Sequence, residues 1–217
     1  MSFDGANDYV SIPHDETLEP QAASQRSITI EAWIKPESFG DLDGIVSKYH
    51  ETGEPSYTLR LSGTEGKVEV QINNGGAPTV DLVSDTEVGL NEWTHVAAVY
   101  DGNSGWLRLY INGELDKEED VGIGELAVNE NEVTIGVDYL DSPRYFEGSI
   151  DRVRIWNVAR TVAQIADHMN SRLLGTEPGL MGYWPMDEGS GTTVNDHSVN
   201  NNHGTIEGNP TWVDGAF

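Results

Sequence analysis

Alternation of apolar and polar residues is the feature that most limits what this chain can fold into. Residues 27–34 place Ile28, Ile30 and Ile34 at even positions, with Ser27, Thr29 and Glu31 at odd ones, as a strand with one buried face requires. Asn112-Gly113 predicts a tight hairpin, because both central residues of its turn need positive φ. Many short strands with turn signals between them predict an all-β fold, a two-sheet antiparallel jelly-roll sandwich. The other strand-like segments are residues 57–61, 67–72, 94–100, 106–111, 133–136 and 149–156.

One short helix is predicted in this otherwise β-rich chain. Thr161 and Gln164 have the spacing of a capping box, in which both side chains satisfy free backbone N–H groups. Ile165, Met169 and Leu173 recur every four residues as a buried stripe, and Gly175 is the expected stop. The strand pattern resumes in residues 179–217, a tail too small to fold alone. We therefore expect one domain over residues 1–217, which the tail completes.

The charge of the chain limits its partners. Lys and Arg number 12 and Asp and Glu number 37, so the formal net charge is −25. Such a field argues against nucleic acid, which needs a basic surface, and favours cations, above all Ca²⁺. No apolar run approaches the ~20 residues that cross a bilayer, so no membrane insertion is expected. The absence of cysteine excludes a disulfide scaffold.

The acidity also favours export into a calcium-rich medium, so we expect an extracellular or cell-surface protein. The chain opens directly in patterned sequence. We expect that a leader has been removed or that the chain is an excised domain.

Several segments together resemble the laminin-G-like and pentraxin group of concanavalin A-like jelly rolls, and the resemblance covers most of the chain. Their order and spacing are more specific than any single motif. The resemblance implies a calcium-stabilised lectin-like or adhesion module. The last segment resembles the usual opening of such a domain, which suggests a circularly shifted unit. The segments are FDGANDYVSIP (3–13), SITIEAWIKP (27–36), IVSKY (45–49), NEWTHVAAVYDG (91–102), LRLYINGEL (107–115), FEGSIDRVRIWNVART (146–161) and residues 179–206.

Two sets of oxygen-bearing side chains are candidate calcium ligands. In one loop they stand at alternate positions, so that a curved chain can turn several of them inward; the alternative is a turn whose side chains cap their own backbone. For the second set, the resemblance implies a structural calcium that joins the N-terminal turn to a late strand. The first set is Asp196, Ser198, Asn200 and Asn202, and the second is Asp4, Asn7 and Asp8 with Asp151.

Two loops correspond to the pentraxin ligand loops, residues 136–145 and 49–54. The first of them does not reproduce the pentraxin run of Glu, Gln and Asp, so a two-calcium site is not expected. Aromatic rings and carboxylates remain, a mixture suited to sugars, which present C–H faces and hydroxyl groups; the alternative is plain solvated loops. The candidate ligand residues are Tyr49, Glu51, Asp138, Tyr139, Asp141 and Tyr145.

A second reading of the chain is a hydrolase. Glu114, Asp116 and Glu118 partly match the signature of laminarinase-type glycosidases, and strict alternation would place all three on one face, as catalysis requires. Lys117 between them is costly to bury, so we interpret the segment as an exposed hairpin arm. The resulting prediction is a non-catalytic module that binds a glycan or cell-surface polysaccharide. The alternatives are a structural or protein-binding repeat of an adhesin without a sugar site, with neighbouring repeats of the same chain as partners, and the glycosidase.

Overall fold

Two antiparallel sheets form the computed structural model, which describes residues 1–19, 26–49, 55–75, 79–140 and 142–217. The first sheet has seven strands, in the order β1-β14-β3-β8-β9-β10, with β15 also paired to β14. Its strands are β1 (Ser2–Asp4), β3 (Ser27–Pro36), β8 (Thr94–Asp101), β9 (Trp106–Ile111), β10 (Glu114–Asp120), β14 (Glu147–Trp156) and β15 (Leu180–Trp184).

The second sheet has eight strands, in the order β16-β17-β2-β11-β4-β5-β6-β7. A separate two-stranded hairpin consists of β12 (Val137–Asp138) and β13 (Arg144–Tyr145). The strands of the eight-stranded sheet are β2 (Tyr9–Ile12), β4 (Gly44–Lys48), β5 (Tyr57–Ser62), β6 (Lys67–Ile72), β7 (Val80–Glu87), β11 (Val133–Ile135), β16 (Thr193–Val194) and β17 (Gly204–Glu207).

The core lies between the inner faces of the two sheets. Ile28, Ile30 and Ile34 of the first sheet share one buried cluster with Val10 and Ile12 of the second. Full burial of such a side chain contributes roughly 1.5–3 kcal/mol. This arrangement confirms the predicted fold class, an all-β jelly-roll sandwich with one short helix.

The helix α1 (Val162–Met169) begins as predicted and ends earlier. Thr161 and Gln164 form the capping box, and Ile165 is buried. The expected continuation to Leu173, with a stop at Gly175, is wrong: the helix ends at Met169, where side chains of the sheet donate to its last carbonyl groups. Arg154 donates to the carbonyl of His168 at 3.0 Å, and the Trp33 indole donates to that of Met169 at 2.8 Å.

Helix α1 packs on the outer face of the seven-stranded sheet, where Ile165 contacts Ala97, Val99 and Tyr110. That sheet is therefore covered on both faces along much of β3, of which nine residues are buried. In the described part of the chain, no helix has the length and apolar character needed to cross a membrane.

The C-terminal segment adds strands to both sheets. β15 pairs with β14 in the first sheet, while β17 pairs with β2 in the second. Ser2 and Thr211 exchange backbone hydrogen bonds of 2.8 and 2.9 Å, so the N-terminal strand lies beside the residues that follow β17.

Candidate functional site

The β12–β13 hairpin folds back over the outer face of the eight-stranded sheet. Gly136 turns the chain with a φ of 89°, a conformation that glycine adopts without strain. The hairpin backbone then comes so close to β4 that a Cβ atom on Gly44 would lie 2.1 Å from the amide nitrogen of Asp138. Glycine at position 44 therefore allows the hairpin to rest directly on the sheet.

Tyr139 at the end of β12 packs against Tyr49 at the end of β4. Their ring centroids are 4.8 Å apart and their planes make an angle of 32°. The Arg144 guanidinium lies 5.9 Å from the centre of the Tyr139 ring. Tyr139 has a φ of 52°, which is strained for a bulky residue and is typical of binding sites that the surrounding fold holds in place. The fold thus brings together two of the predicted ligand residues.

Asp138 has a structural position, contrary to the expectation that it faces a ligand. Its carboxylate is completely buried, accepts from the Ser47 hydroxyl at 2.8 Å, and pairs with Arg60 at 2.9 Å. Burial by itself would lower the pKa of Arg60, but the carboxylates of Glu69 and Asp138 outweigh burial and raise this pKa. Asp138 therefore fastens the hairpin to β4 and β5.

A second tyrosine pair lies at the other end of the hairpin. Tyr145 is 6.4 Å from Tyr9 of β2, with an interplanar angle of 42°. Burial, followed by the carboxylates of Glu207 and Glu132, raises the pKa of Tyr9. Tyr145 is one of the predicted ligand residues, whereas Tyr9 was not predicted from the sequence. Tyr9 alternates with the core residues Val10 and Ile12, so its position on the outer face was readable from the sequence, whereas its partner was not.

Two predicted ligand residues, Glu51 and Asp141, lie outside the residues that the structure describes.

The loop 196–202 uses its oxygen atoms on its own backbone. One oxygen of Asp196 accepts from the Tyr183 and Ser198 amides at 2.9 and 2.8 Å. The other accepts from the Ser198 hydroxyl and the Asn202 amide, both at 2.8 Å. These four hydrogen bonds occupy the acceptor sites of a carboxylate, and the carboxamide of Asn200 donates to the carbonyl of Met181 at 2.8 Å. The loop is the backbone-capping turn that the sequence left as the alternative.

The N-terminal turn has the same character. Asp4 accepts from the amides of Ala6 and Asn7 at 2.9 and 3.1 Å, and Asp8 accepts from the amides of Asp4 and Asn209. Asp151 accepts from the amide of Ala216 instead.

The expected link between Asp4 and Asp151 is absent from these described residues. Asp4 lies opposite Glu147 on β14, and Asp151 is four residues further along that strand, or about 13 Å. In the described ranges, no group of three or more Asp, Glu or His side chains could hold a metal ion. Calcium binding stays a prediction of the sequence, and these side chains do not fit a calcium site.

The three carboxylates of β10 do not share a face, so the alternation expected for a glycosidase is wrong. A bulge at Asp116 places Leu115 opposite Tyr110 and Lys117 opposite Leu109, which reverses the facing of every later residue. Asp116 accepts from the backbone amides of Asp85 and Thr86 at 2.7 and 3.1 Å, and Arg108 pairs with Glu118 at 3.0 Å. The segment is the exposed hairpin arm that the sequence predicts.

Comparisons with solved structures agree with this architecture. A provisionally assigned carbohydrate binding protein from Bacteroides ovatus ATCC 8483 is 25% identical, with a TM-score of 0.74, over 98% of this chain and 60% of its own. The present chain thus spans less than two thirds of that protein.

Two further structures share the fold. Domain 4 of AbnA, a GH43 extracellular arabinanase from Geobacillus stearothermophilus solved with arabinotriose, is 21% identical with a TM-score of 0.58, covering 76% of this chain and 74% of its own. The CBM40 of a Ruminococcus gnavus sialidase, solved with α2,3-sialyllactose, is 18% identical with a TM-score of 0.59, covering 77% and 96%.

Sequence comparison supplies the family. No curated protein matches the chain. A family model described as the concanavalin A-like lectin/glucanases superfamily matches residues 4–166, a range that includes the β12–β13 hairpin and most strands of both sheets. This chain belongs to the concanavalin A-like lectin/glucanases superfamily.

Proposed function

We propose that this chain is a non-catalytic glycan-binding module that acts on the outer face of its eight-stranded sheet. The observation that carries the proposal is the Tyr49–Tyr139 contact beside Arg144. Aromatic rings bind the C–H faces of sugars, and a guanidinium donates to hydroxyl or ring oxygen atoms. The three solved structures named above, each of which is described with a carbohydrate or as binding one, support the same conclusion.

The geometry of the carboxylates supports a role without catalysis. Glycoside hydrolysis needs two carboxyl groups on the two sides of one bond, about 5–9.5 Å apart. Asp138 beside the tyrosine pair is buried in ion pairs. The bulge places Glu114 and Glu118 on opposite faces of an edge strand. We also propose that the protein is exported, because an acidic lectin-like module is suited to extracellular glycans.

A glycan array with a matched pair of variants tests the proposal. Tyr139→Ala removes one ring of the pair, and we expect it to weaken binding about tenfold, the value of one good aromatic contact. Trp106→Ala is the control, because Trp106 also lies beside an arginine, 5.6 Å from Arg108, but on the other sheet. This control should bind as the wild type does.

The results that would contradict the proposal are direct. Absence of any glycan signal from the wild-type protein would overturn it, as would equal binding by wild type and Tyr139→Ala when both melt at the same temperature. Hydrolysis of any bound glycan by the wild-type protein would contradict the non-catalytic assignment.

A further inference from the structure

We infer that the glycan site extends over both tyrosine pairs, so that the ligand is a linear, neutral oligosaccharide and not a single terminal sugar. The inference rests on the proposed function and adds a second subsite at Tyr9 and Tyr145, which are 6.4 Å apart. The two subsites are called the near pair, Tyr49 with Tyr139, and the far pair, Tyr9 with Tyr145.

The strand register places the two pairs at a defined separation. Ser11 of β2 and Ser47 of β4 both lie opposite Thr134 of β11. Because each strand is antiparallel to β11, β2 and β4 run in the same direction. Tyr9 precedes Ser11 by two residues and Tyr49 follows Ser47 by two. Tyr9 and Tyr49 are thus offset by four residues along the strands, about 13 Å, and by two strand spacings, about 10 Å. Their Cα atoms are therefore about 16 Å apart, a distance that a single sugar ring cannot span.

The hairpin itself connects the two pairs. Arg144 precedes Tyr145 in β13, and its guanidinium also reaches the Tyr139 ring of the near pair. This guanidinium lies 3.6 Å from the buried carboxylate of Asp138. Ser47 and Thr134 of the sheet beneath are buried, so a sugar chain that crosses from one pair to the other runs over the hairpin. It meets the Arg144 guanidinium there, which can donate to hydroxyl or ring oxygen atoms.

The charge around the far pair favours neutral sugars. Glu207 lies directly opposite Tyr9 in the sheet register, and both Glu207 and Glu132 act on the Tyr9 hydroxyl as negative charges. The chain as a whole carries a formal charge of −25, which repels polyanions at long range. Uronic-acid or sulfated polymers are therefore disfavoured at the far pair.

The test uses oligosaccharide length as the variable. Arabino-, cello- and manno-oligosaccharides of two to six units are titrated calorimetrically into the wild-type protein, with oligogalacturonides as the anionic series. At least one neutral series should gain about tenfold in affinity once the chain is long enough to reach both pairs. Tyr9→Ala should abolish this gain, whereas Tyr9→Phe, which keeps the ring, should retain it.

The outcomes separate this inference from the proposed function. Binding that does not depend on length, or a Tyr9→Ala effect that is equal at all lengths, would overturn the far subsite while the proposed function stands. Tighter binding of oligogalacturonides than of any neutral series would overturn the neutral assignment. Absence of binding by every series would overturn the inference, and absence of any signal on the glycan array as well would overturn the proposed function with it.

Discussion

Glu31 offers the sharpest test of how the covered sheet is stabilised. It lies on β3 beneath helix α1 with no exposed surface. One carboxylate oxygen accepts from the Trp156 indole at 2.6 Å and from Arg160 at 2.7 Å. The other lies 3.3 Å from His95 and faces Arg154 at 4.0 Å. Glu31→Gln would keep the shape of this side chain and leave two buried guanidinium groups without their counter-charge.

The magnitude follows from the pKa of Glu31. Burial by itself would raise this pKa, but the hydrogen bond and charge of His95, with the charges of Arg154 and Arg160, lower it from 4.5 to about 2. A pKa that is about 2.5 lower in the folded than in the unfolded chain corresponds to about 3 kcal/mol of stability. Removal of one partner from a buried ion pair costs a similar amount, about 3–5 kcal/mol. We therefore expect Glu31→Gln to lower the free energy of unfolding by about 3 kcal/mol at pH 7.

Equilibrium unfolding in urea measures this loss. Because the folded pKa is lowered, the contribution of Glu31 is fully present above pH 4.5 and disappears as the pH falls towards 2, so the gap between wild type and variant should narrow over that range. The control is Glu118→Gln, which breaks the exposed pair with Arg108 and should cost under about 1 kcal/mol. A Glu31→Gln loss no larger than that of the control, or a gap that widens in acid, would refute the reasoning.

Three further changes test other parts of the fold. Asp196→Asn should destabilise the protein by about 1–3 kcal/mol, because an amide now faces the Ser198 and Asn202 donors; a loss seen only with calcium, and absent in excess chelator, would instead identify a calcium site. Gly44→Ala should cost about 1–3 kcal/mol in urea unfolding and weaken glycan binding, because its Cβ atom would collide with the hairpin backbone. Truncation after residue 177 removes β15, β16 and β17 and should yield an aggregating chain; a monomer with an unchanged melting temperature would contradict the expected single domain.

The strands and the first turn of the helix were predictable because their signals are local. Alternation in residues 27–34 decides which side chains of β3 face the core without reference to any other segment. Asn112 and Gly113 have φ values of 51° and 80°, as their hairpin turn requires. The same holds for the Thr161–Gln164 capping box, whose contacts span only three residues.

The carboxylates were harder to assign because their partners lie far away in the sequence. Asp116 forms a bulge and binds backbone amides of β7, about 30 residues earlier, and no local pattern distinguishes it from a strand residue. Asp196 has the chemistry of a calcium ligand. Its oxygen atoms are used by backbone donors such as the amide of Tyr183 in β15, and only the packed tail brings that strand near.

The location of the candidate site depends on which outer face the connections leave accessible. A jelly roll has two such faces, and the strand pattern alone does not distinguish them. Here the segment after β14 forms helix α1 and covers the seven-stranded sheet, where Glu31, His95 and Arg154 are consequently buried. The eight-stranded sheet is crossed in this region by the β12–β13 hairpin, which ends in two half-buried tyrosine pairs. The proposed glycan recognition on this face therefore depends on the hairpin, and a change that lifts the hairpin from β4 should weaken binding without unfolding the sandwich.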